Sequence, residues 1–462
     1  MPISDVGGSF TAGPLRLRDA ALFTDLYELT MAAAFFRHGI RGPATFSLFV
    51  RRLPETRAFL VAAGLEDALD FLRALHFSPA AVAHLRMLGL FDDAFLEWLV
   101  GFRFSCEVRA VPEGTVMFAD EPILEVTGPI LEAQMVESAL LNFCHLQTLL
   151  TSKAARVVLA AGSRSVAEFG LRRTAGIDAA LKAARSAYIA GCDLTSNVLA
   201  GMEYGIPVTG TMAHSFVTAF ANELEAFQAF AETFPGGAVL LLDSYDTVAA
   251  AHKAVAVAAV LARQGRRLAG VRLDSGDILE LSRQVRAILD EADLKGVPIL
   301  VSGGLDEHAI EAYLAAGVPI DAFGIGTRMN VSADAPYLDM VYKLVRFEGR
   351  DILKLSEGKE SWVGEKQVVR VRRKDGRFGG DILALADEPV PAGADPLLQP
   401  VMAAGELLRP HPTLEEVRAR CGAQLGSLPE ELRQLRGAGS YTVDYSDALR
   451  ARQASAKAAV GY

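Results

Sequence analysis

From residue 165 onward the chain repeats one pattern: a short apolar run ends in small or acidic polar residues, and a helical stretch follows. The runs are SVAEFG (165–170), PVTGTMAH (207–214), AVLLLDSYD (238–246), LAGVRLDSGD (268–277), PILVSGG (298–304) and DAFGIGTRM (321–329). Asp243 and Asp274 lie 31 residues apart, Asp274 and Ser302 28, and Ser302 and Gly326 24. That is the spacing of βα units, and continuous apolar strands predict a parallel sheet buried on both faces. The polar residues fall at the C-terminal ends of the runs, the rim where a β/α barrel builds its site. A doubly wound sheet uses the same edge, but it focuses its site at one switch point. Polar ends on six successive runs favour a barrel.

The flanking segments have a different texture. Ala20 to His38 reads as a helix, with Thr24-Asp25 as a possible N-cap and Gly39 as its C-cap. ATFSLFVRR reads as a strand, and residues 65–76 and 79–101 as amphipathic helices. Short strands over 102–128 are broken by Pro112-Glu113-Gly114 and Gly128-Pro129, and one long helix is expected from about Leu131 to Ala161. After Met329, YKLVRF, ILKLS and QVVRVRRKDG read as antiparallel strands, and Thr413 to Arg436 as one or two surface helices. The alanine-rich last dozen residues are expected to fray. The division that follows is a loose tail over 1–17, an α/β domain over 18–160, a β/α barrel over 161–335, and a C-terminal segment over 336–462 returning to the first domain.

With 462 residues, 51% hydrophobic and 22% charged, the chain can bury a large core. A net charge of −10 repels anions globally, so any phosphate site needs locally placed basic residues, and general nucleic-acid binding is not expected. Four scattered cysteines with no CxxC pair argue against a zinc ribbon or redox dithiol and suit a reducing, cytoplasmic setting. The chain has no apolar run long enough for a membrane span, and its first residues lack a signal-peptide pattern.

The candidate chemistry sits at the run ends. DSYDT (243–247) and DSGDI (274–278) repeat D-S-x-D on adjacent predicted strands. One copy is explained by helix capping; two consecutive copies point to holding hydrated Mg²⁺ or ribose hydroxyls. Ser302-Gly303-Gly304 and Gly324-Ile325-Gly326-Thr327 let backbone N–H groups approach a phosphate at a helix start. There is no GxxxxGK[ST], so this is not a P-loop enzyme. His214 in GTMAHS falls on the same rim, where it is either a catalyst or a surface residue. EFGLRR offers Phe169 for stacking, with Arg172 and Arg173 for anions or as an exposed pair. Arg272 and Asp274 should face the same side of their strand, so Arg272 either captures a carboxylate or phosphate or pairs with the acidic rim.

Taken in order, TDLYELTM (24–31), EFGLRR, YIAGCDLTSNVLAG (188–201), GIPVTGTMAHSFV (205–217), LLDSYDT, VRLDSGD, VSGGLDE, FGIGTRM and YKLV with LKLSEGKESWVGEKQVVR (353–370) resemble the nicotinate phosphoribosyltransferase family. The resemblance implies a type II phosphoribosyltransferase fold: an irregular β/α barrel plus an α/β domain built from both chain ends. It implies transfer of the ribose phosphate of phosphoribosyl pyrophosphate to nicotinate, giving nicotinate mononucleotide for NAD synthesis. It further implies Mg²⁺, ATP hydrolysis through a phosphohistidine, and a homodimer in which the Tyr27 region of one subunit approaches the barrel of the other.

Carried over by motif, Tyr27 and Phe169 flank the pyridine ring, Thr211 and Arg272 engage nicotinate, and His214 is phosphorylated. Asp243 and Asp274 serve the ribose and metal side. Ser302, Gly303, Gly304, Gly326 and Thr327, with Arg172, hold phosphate. Two departures stand out. Trp362 replaces an expected proline, and only Cys421 lies where some relatives carry a cysteine-rich metal module.

The rivals differ at particular residues. Nicotinamide phosphoribosyltransferases place an acidic residue against the amide near the segment matching 193–197; the best match here is the uncharged Ser196, with Asp193 close by. Quinolinate phosphoribosyltransferases lack the ATP-linked histidine. A Schiff-base aldolase is disfavoured because no predicted strand end from 165 to 329 carries lysine. A non-catalytic regulatory homologue would not need the intact set of site residues.

Overall fold

A computed structural model describes residues 10–12, 15–17, 19–356, 360–437 and 439–461. The chain divides into two compact units, Met1–Ser152 with Ala335–Tyr462, and Lys153–Asp334.

The unit Lys153–Asp334 is built on a six-stranded, all-parallel sheet. In spatial order its strands are Val239–Leu241, Gly270–Leu273, Ile299–Val301, Ala322–Ile325, Ser165–Glu168 and Leu194–Thr195. A bridge from Thr195 to Val208 extends the last edge. The sheet is therefore an incomplete barrel, as the resemblance implied. Five of the six expected runs form its strands. The sixth, PVTGTMAH, contributes only the Val208 bridge before His214 opens helix His214–Thr218. Leu194–Thr195 takes a ladder position instead. Side chains such as Val271, Leu273, Ile299, Val301, Phe323 and Ile325 are fully buried, as strands covered on both faces require.

In the other unit, both chain ends share an antiparallel sheet. Its order is Arg350–Asp351, Met340–Phe347, Pro43–Val50, Pro122–Pro129, Glu107–Ala110, Gln399–Ala403 and Glu406–Leu407. A second sheet orders Asp395–Pro396, Lys366–Arg372, Phe378–Leu385 and Val443–Tyr445. Phe46 stacks on Tyr342 across the first sheet, with centroids 4.9 Å apart. Arg370 and Asp381, both buried, pair at 2.6 Å on neighbouring strands of the second. Trp362 stacks on Tyr445 at 4.1 Å, so the departure at that position is absorbed by packing.

Several local expectations are corrected. Within the tail expected to be loose, Phe10–Ala12 pairs antiparallel with Leu15–Leu17, and residues 1–9, 13, 14 and 18 lie outside the described ones. The helix expected from Ala20 is a short 3₁₀ turn, Ala20–Leu22, followed by helix Leu26–Arg37. The segment 79–101 holds two helices, Pro79–Met87 and Asp93–Val100, because Gly89 takes φ +67° and Asp92 caps Phe95 N at 2.9 Å. The expected single long helix is split into Ile130–Gln134 and Glu137–Ala161. Glu28, from a distant helix, accepts Ser138 N at 2.8 Å, so the second start is capped by tertiary structure. ILKLS forms no strand: a tight turn at Glu348-Gly349 (φ +48°, +77°) leaves only Arg350–Asp351 paired. The segment expected to fray is helical through Ala459, with Tyr462 outside the described residues. Helix Asp447–Ala459 starts at an N-cap, Ser446, and buries Leu449, Gln453 and Ala456.

Candidate functional site

The C-terminal ends of the parallel strands surround a cavity of about 320 Å³ lined by Phe169, Arg172, Ser196, Thr211, His214, Arg272 and Asp274, among others. Arg272 is fixed in it by three partners. Its Nε donates to Ser302 Oγ at 2.7 Å, Nη1 to Thr211 Oγ1 at 3.0 Å, and Nη2 to Asp274 Oδ1 at 2.5 Å. Its guanidinium carbon lies 5.7 Å from the centre of the Phe169 ring. A guanidinium bound this way is rigid and still has donors to offer a ligand.

Asp274 also accepts from Ser302 Oγ at 2.5 Å. Burial raises its pKa, but the Ser302 hydroxyl and the Arg272 guanidinium outweigh that and hold the carboxyl below its ordinary value. Asp243 Oδ2 accepts from Asp274 N at 3.2 Å and from the Ser275 hydroxyl. Its other oxygen, Oδ1, is buried without a hydrogen-bond partner among the described residues, and His214 Nε2 stands 3.4 Å away. The Ser244 hydroxyl beside it is buried and unpartnered in the same sense. His214 is half exposed at the rim.

The glycines act by close approach. Gly303 takes φ +87°, and a Cβ there would lie 1.8 Å from the Asp274 carbonyl oxygen. Gly326 passes so near Phe169 that a Cβ would sit 2.8 Å from its carbonyl oxygen. Ser302 is buried, while Gly303, Gly304 and Thr327 are exposed. Thr327 begins the turn Thr327–Asn330, just past strand Ala322–Ile325. Arg172 is exposed on the 3₁₀ turn Leu171–Arg173.

The structure thus brings Phe169, Thr211, His214, Asp243, Arg272, Asp274 and Ser302 into one linked cluster, with Arg172 lining the same cavity. Tyr27 belongs to the other unit, on helix Leu26–Arg37, where its side chain is exposed. Partial burial of the phenol among neighbouring groups, with the carboxylates of Glu137 and Glu28, pushes the hydroxyl up to about 12 although the side chain as a whole is exposed.

Sequence reasoning missed a supporting layer. Glu168, fully buried, accepts from Thr195 Oγ1 at 2.6 Å, from Asn330 Nδ2 at 2.8 Å and from Gly170 N. It holds the turn that presents Phe169. An acidic residue closing a buried strand in EFGLRR was the available signal. Asp193 is also placed: it accepts from Ser165 Oγ at 2.8 Å and Val166 N at 3.3 Å. Those groups lie at the N-terminal end of their strand, opposite the rim, whereas Ser196 lines the cavity.

An oxygen-ligated cation fits the residues present. Asp243 Oδ1 is a buried carboxylate oxygen without a hydrogen-bond partner among the described residues. No cluster of three or more His, Cys, Asp or Glu side chains able to hold a metal occurs among the described residues. A carboxylate oxygen of this kind is chemically suited to Mg²⁺, which keeps its waters and uses one or two carboxylates plus substrate phosphates. No helix among the described residues is long and apolar enough to cross a membrane.

Comparison with known proteins agrees with this geometry. Residues 22–145, 164–375 and 390–453 match, in order, the nicotinate phosphoribosyltransferase N-terminal domain, the nicotinate phosphoribosyltransferase family and the C-terminal domain. The chain is 49% identical over 439 residues to a nicotinate phosphoribosyltransferase of Mycobacterium tuberculosis, covering 94% of this chain and 93% of the relative. It is 40% identical over 382 residues to that of Bacillus subtilis, covering 80% and 77% respectively. The crystal structure of human nicotinic acid phosphoribosyltransferase superposes with a TM-score of 0.84 at 34% identity, covering 94% of this chain and 99% of that one. A strand-end cavity with a clamped arginine, together with matches running nearly the full length of the chain, makes this protein a member of the nicotinate phosphoribosyltransferase family.

Proposed function

We propose that this enzyme joins nicotinate to the ribose phosphate of phosphoribosyl pyrophosphate, releasing pyrophosphate and forming nicotinate mononucleotide for NAD synthesis. The observation that carries the reading is Arg272, clamped by Ser302, Thr211 and Asp274 beside the Phe169 ring. That is a carboxylate reader next to an aromatic face, matched to a flat anionic ring. Ser196, rather than Asp193, lines the cavity, which supports nicotinate over nicotinamide: the side chain at that position carries no charge to set against a carboxylate.

In this reading the nicotinate ring nitrogen attacks the anomeric carbon as pyrophosphate leaves. The nitrogen carries no proton at neutral pH, so no base is required. The chain's contribution is placement and charge: Phe169, Thr211 and Arg272 orient the ring, and Asp274 faces the ribose. Ser302, Gly303, Gly304, Gly326 and Thr327, with Arg172, hold phosphate. Asp243 and Asp274 are the residues that would hold Mg²⁺, whose charge would neutralise the departing pyrophosphate. His214 takes the γ-phosphoryl group of ATP: a P–N bond forms as the P–O bond to ADP breaks, and water later frees phosphate. The unpartnered Asp243 Oδ1 facing His214 supports this role. The enzyme is read as a homodimer in which Tyr27 of one subunit completes the other's ring site. Its four cysteines, all buried free thiols, suit the cytosol.

The deciding experiment offers nicotinate, nicotinamide and quinolinate separately, each with phosphoribosyl pyrophosphate, Mg²⁺ and ATP, and identifies the products. Nicotinate mononucleotide from nicotinate alone is expected. Equal turnover of nicotinamide would overturn the substrate assignment.

A further inference from the structure

The two glycine-rich turns are joined by ion pairs whose members do not line the cavity. Asp306 lies two residues past Gly304 and caps helix Glu307–Ala315, its Oδ1 accepting Ala309 N at 2.9 Å. Its other oxygen accepts Arg328 Nη1 at 2.6 Å, and Arg328 directly follows Thr327 in the other turn. Burial raises the Asp306 pKa, but the cap and the Arg328 guanidinium pull the carboxyl below its ordinary value. Beneath this pair, buried Lys153 reaches both Glu307 at 2.5 Å and Asp334 at 2.7 Å, and Arg156 adds a bond to Glu307 at 3.1 Å. The same two segments are thus linked twice, once in the core and once at the surface, where the Arg328 side chain is 54% exposed.

We propose that Arg328 and Asp306 are positioning residues that set the spacing of the two phosphate-binding turns. The inference rests on the reading that these turns hold the phosphate of phosphoribosyl pyrophosphate. Glycines have no side chain with which to aim their N–H groups, so a phosphate held between loops from two strands depends on what fixes those loops. Asp306 anchors the first turn through the helix cap, and Arg328 carries that anchor to the second. The proposed nicotinate contacts Thr211 and Arg272 share no hydrogen bond with either residue among the described residues.

The test is steady-state kinetics on the full chain, comparing wild type with Asp306→Asn, Arg328→Ala, Arg328→Lys and the Asp306→Asn/Arg328→Ala double variant. Asparagine caps a helix as well as aspartate, so Asp306→Asn removes the charge pair and keeps the cap. Asp306→Asn and Arg328→Ala should each raise KM for phosphoribosyl pyrophosphate by roughly three- to five-fold, the scale of one surface ion pair. The double variant should be no worse than either single one, Arg328→Lys should recover part of the loss, and nicotinate KM and Tm should stay put. If Arg328→Ala raises KM while Asp306→Asn does not, Arg328 touches substrate directly and the positioning role is wrong. Unchanged KM in both single variants, or parallel shifts of both substrates' KM with Tm, would equally overturn it. A wild type that performs no phosphoribosyl transfer would instead strike at the functional reading beneath it.

Discussion

Arg272 shows how one residue gains its chemistry from its neighbours. An arginine one turn of pleat before an aspartate is ordinary in sequence. Bonds to Ser302, Thr211 and Asp274 make it a rigid fork with spare donors facing a cavity. Losing a hydrogen bond to a charged group costs roughly 1.5–3 kcal/mol, so Arg272→Ala should lower kcat/KM for nicotinate at least about tenfold. Wild-type kcat/KM in that variant would make Arg272 structural. His214 is tested differently. His214→Ala should abolish ATP hydrolysis and ATP stimulation while slow ATP-independent transfer persists. Incubation with γ-labelled ATP should leave an acid-labile label on the wild type alone; an equally labelled variant would refute the phosphohistidine. Both roles were readable as candidates in the sequence. The Glu168 network was not, because its partners Thr195 and Asn330 are remote along the chain and meet only in the fold.

Among elements, the turn after strand Ile299–Val301 is the least tolerant. Gly303→Ala would force a methyl into the Asp274 carbonyl at a left-handed backbone position. Strain of this kind costs on the order of 1–3 kcal/mol, and relief requires moving Asp274. The expected result is a lowered Tm and a rise in KM for phosphoribosyl pyrophosphate of about tenfold; a variant with unchanged kinetics would show that the turn is not used. A second element, the loop carrying Asp120, gives a pH dependence. Burial pushes the Asp120 carboxyl up to about 6, with the Tyr445 hydroxyl 3.5 Å away. A raised acid pKa favours the folded state at low pH: that stability is complete below the unfolded value of about 4 and is lost as pH rises through about 6. Asp120→Asn tolerates the same left-handed backbone (φ +63°) and removes the titration. Its Tm should exceed the wild type's at pH 8, by an effect on the order of 1 kcal/mol, and the advantage should vanish near pH 4. A constant difference across that range would rule out Asp120 as the cause.

For the whole molecule, the shared-site homodimer proposed above makes a prediction about mixed variants. Tyr27 lies in a different unit from the cavity residues and is exposed on its helix. In a shared-site homodimer, mixing Tyr27→Ala with Asp274→Ala protein should restore part of the activity, because a heterodimer holds one intact site. Neither parent should show it alone. A fully active monomer by light scattering would exclude the arrangement.

The sequence by itself determined the βα rhythm of residues 165–329, the polar rim at its strand ends and most of the residues that line the cavity. Those features are local: a strand's apolar run and the residue that ends it are set by neighbours a few positions away. Tertiary structure decided which of the runs paired, so Leu194–Thr195 entered the ladder and PVTGTMAH gave only a bridge. It also decided where helices began, since the cap of Ser138 comes from Glu28. The ordered C-terminal helix belongs to the same class. Alanine favours helix, but a helix this short is marginal without packing; here Leu449 and Gln453 are buried and Val363 N donates to Gln453 Oε1 at 3.1 Å. Long-range burial and hydrogen bonding add there to a local propensity that is insufficient alone, and neither can be seen in a window of a dozen residues.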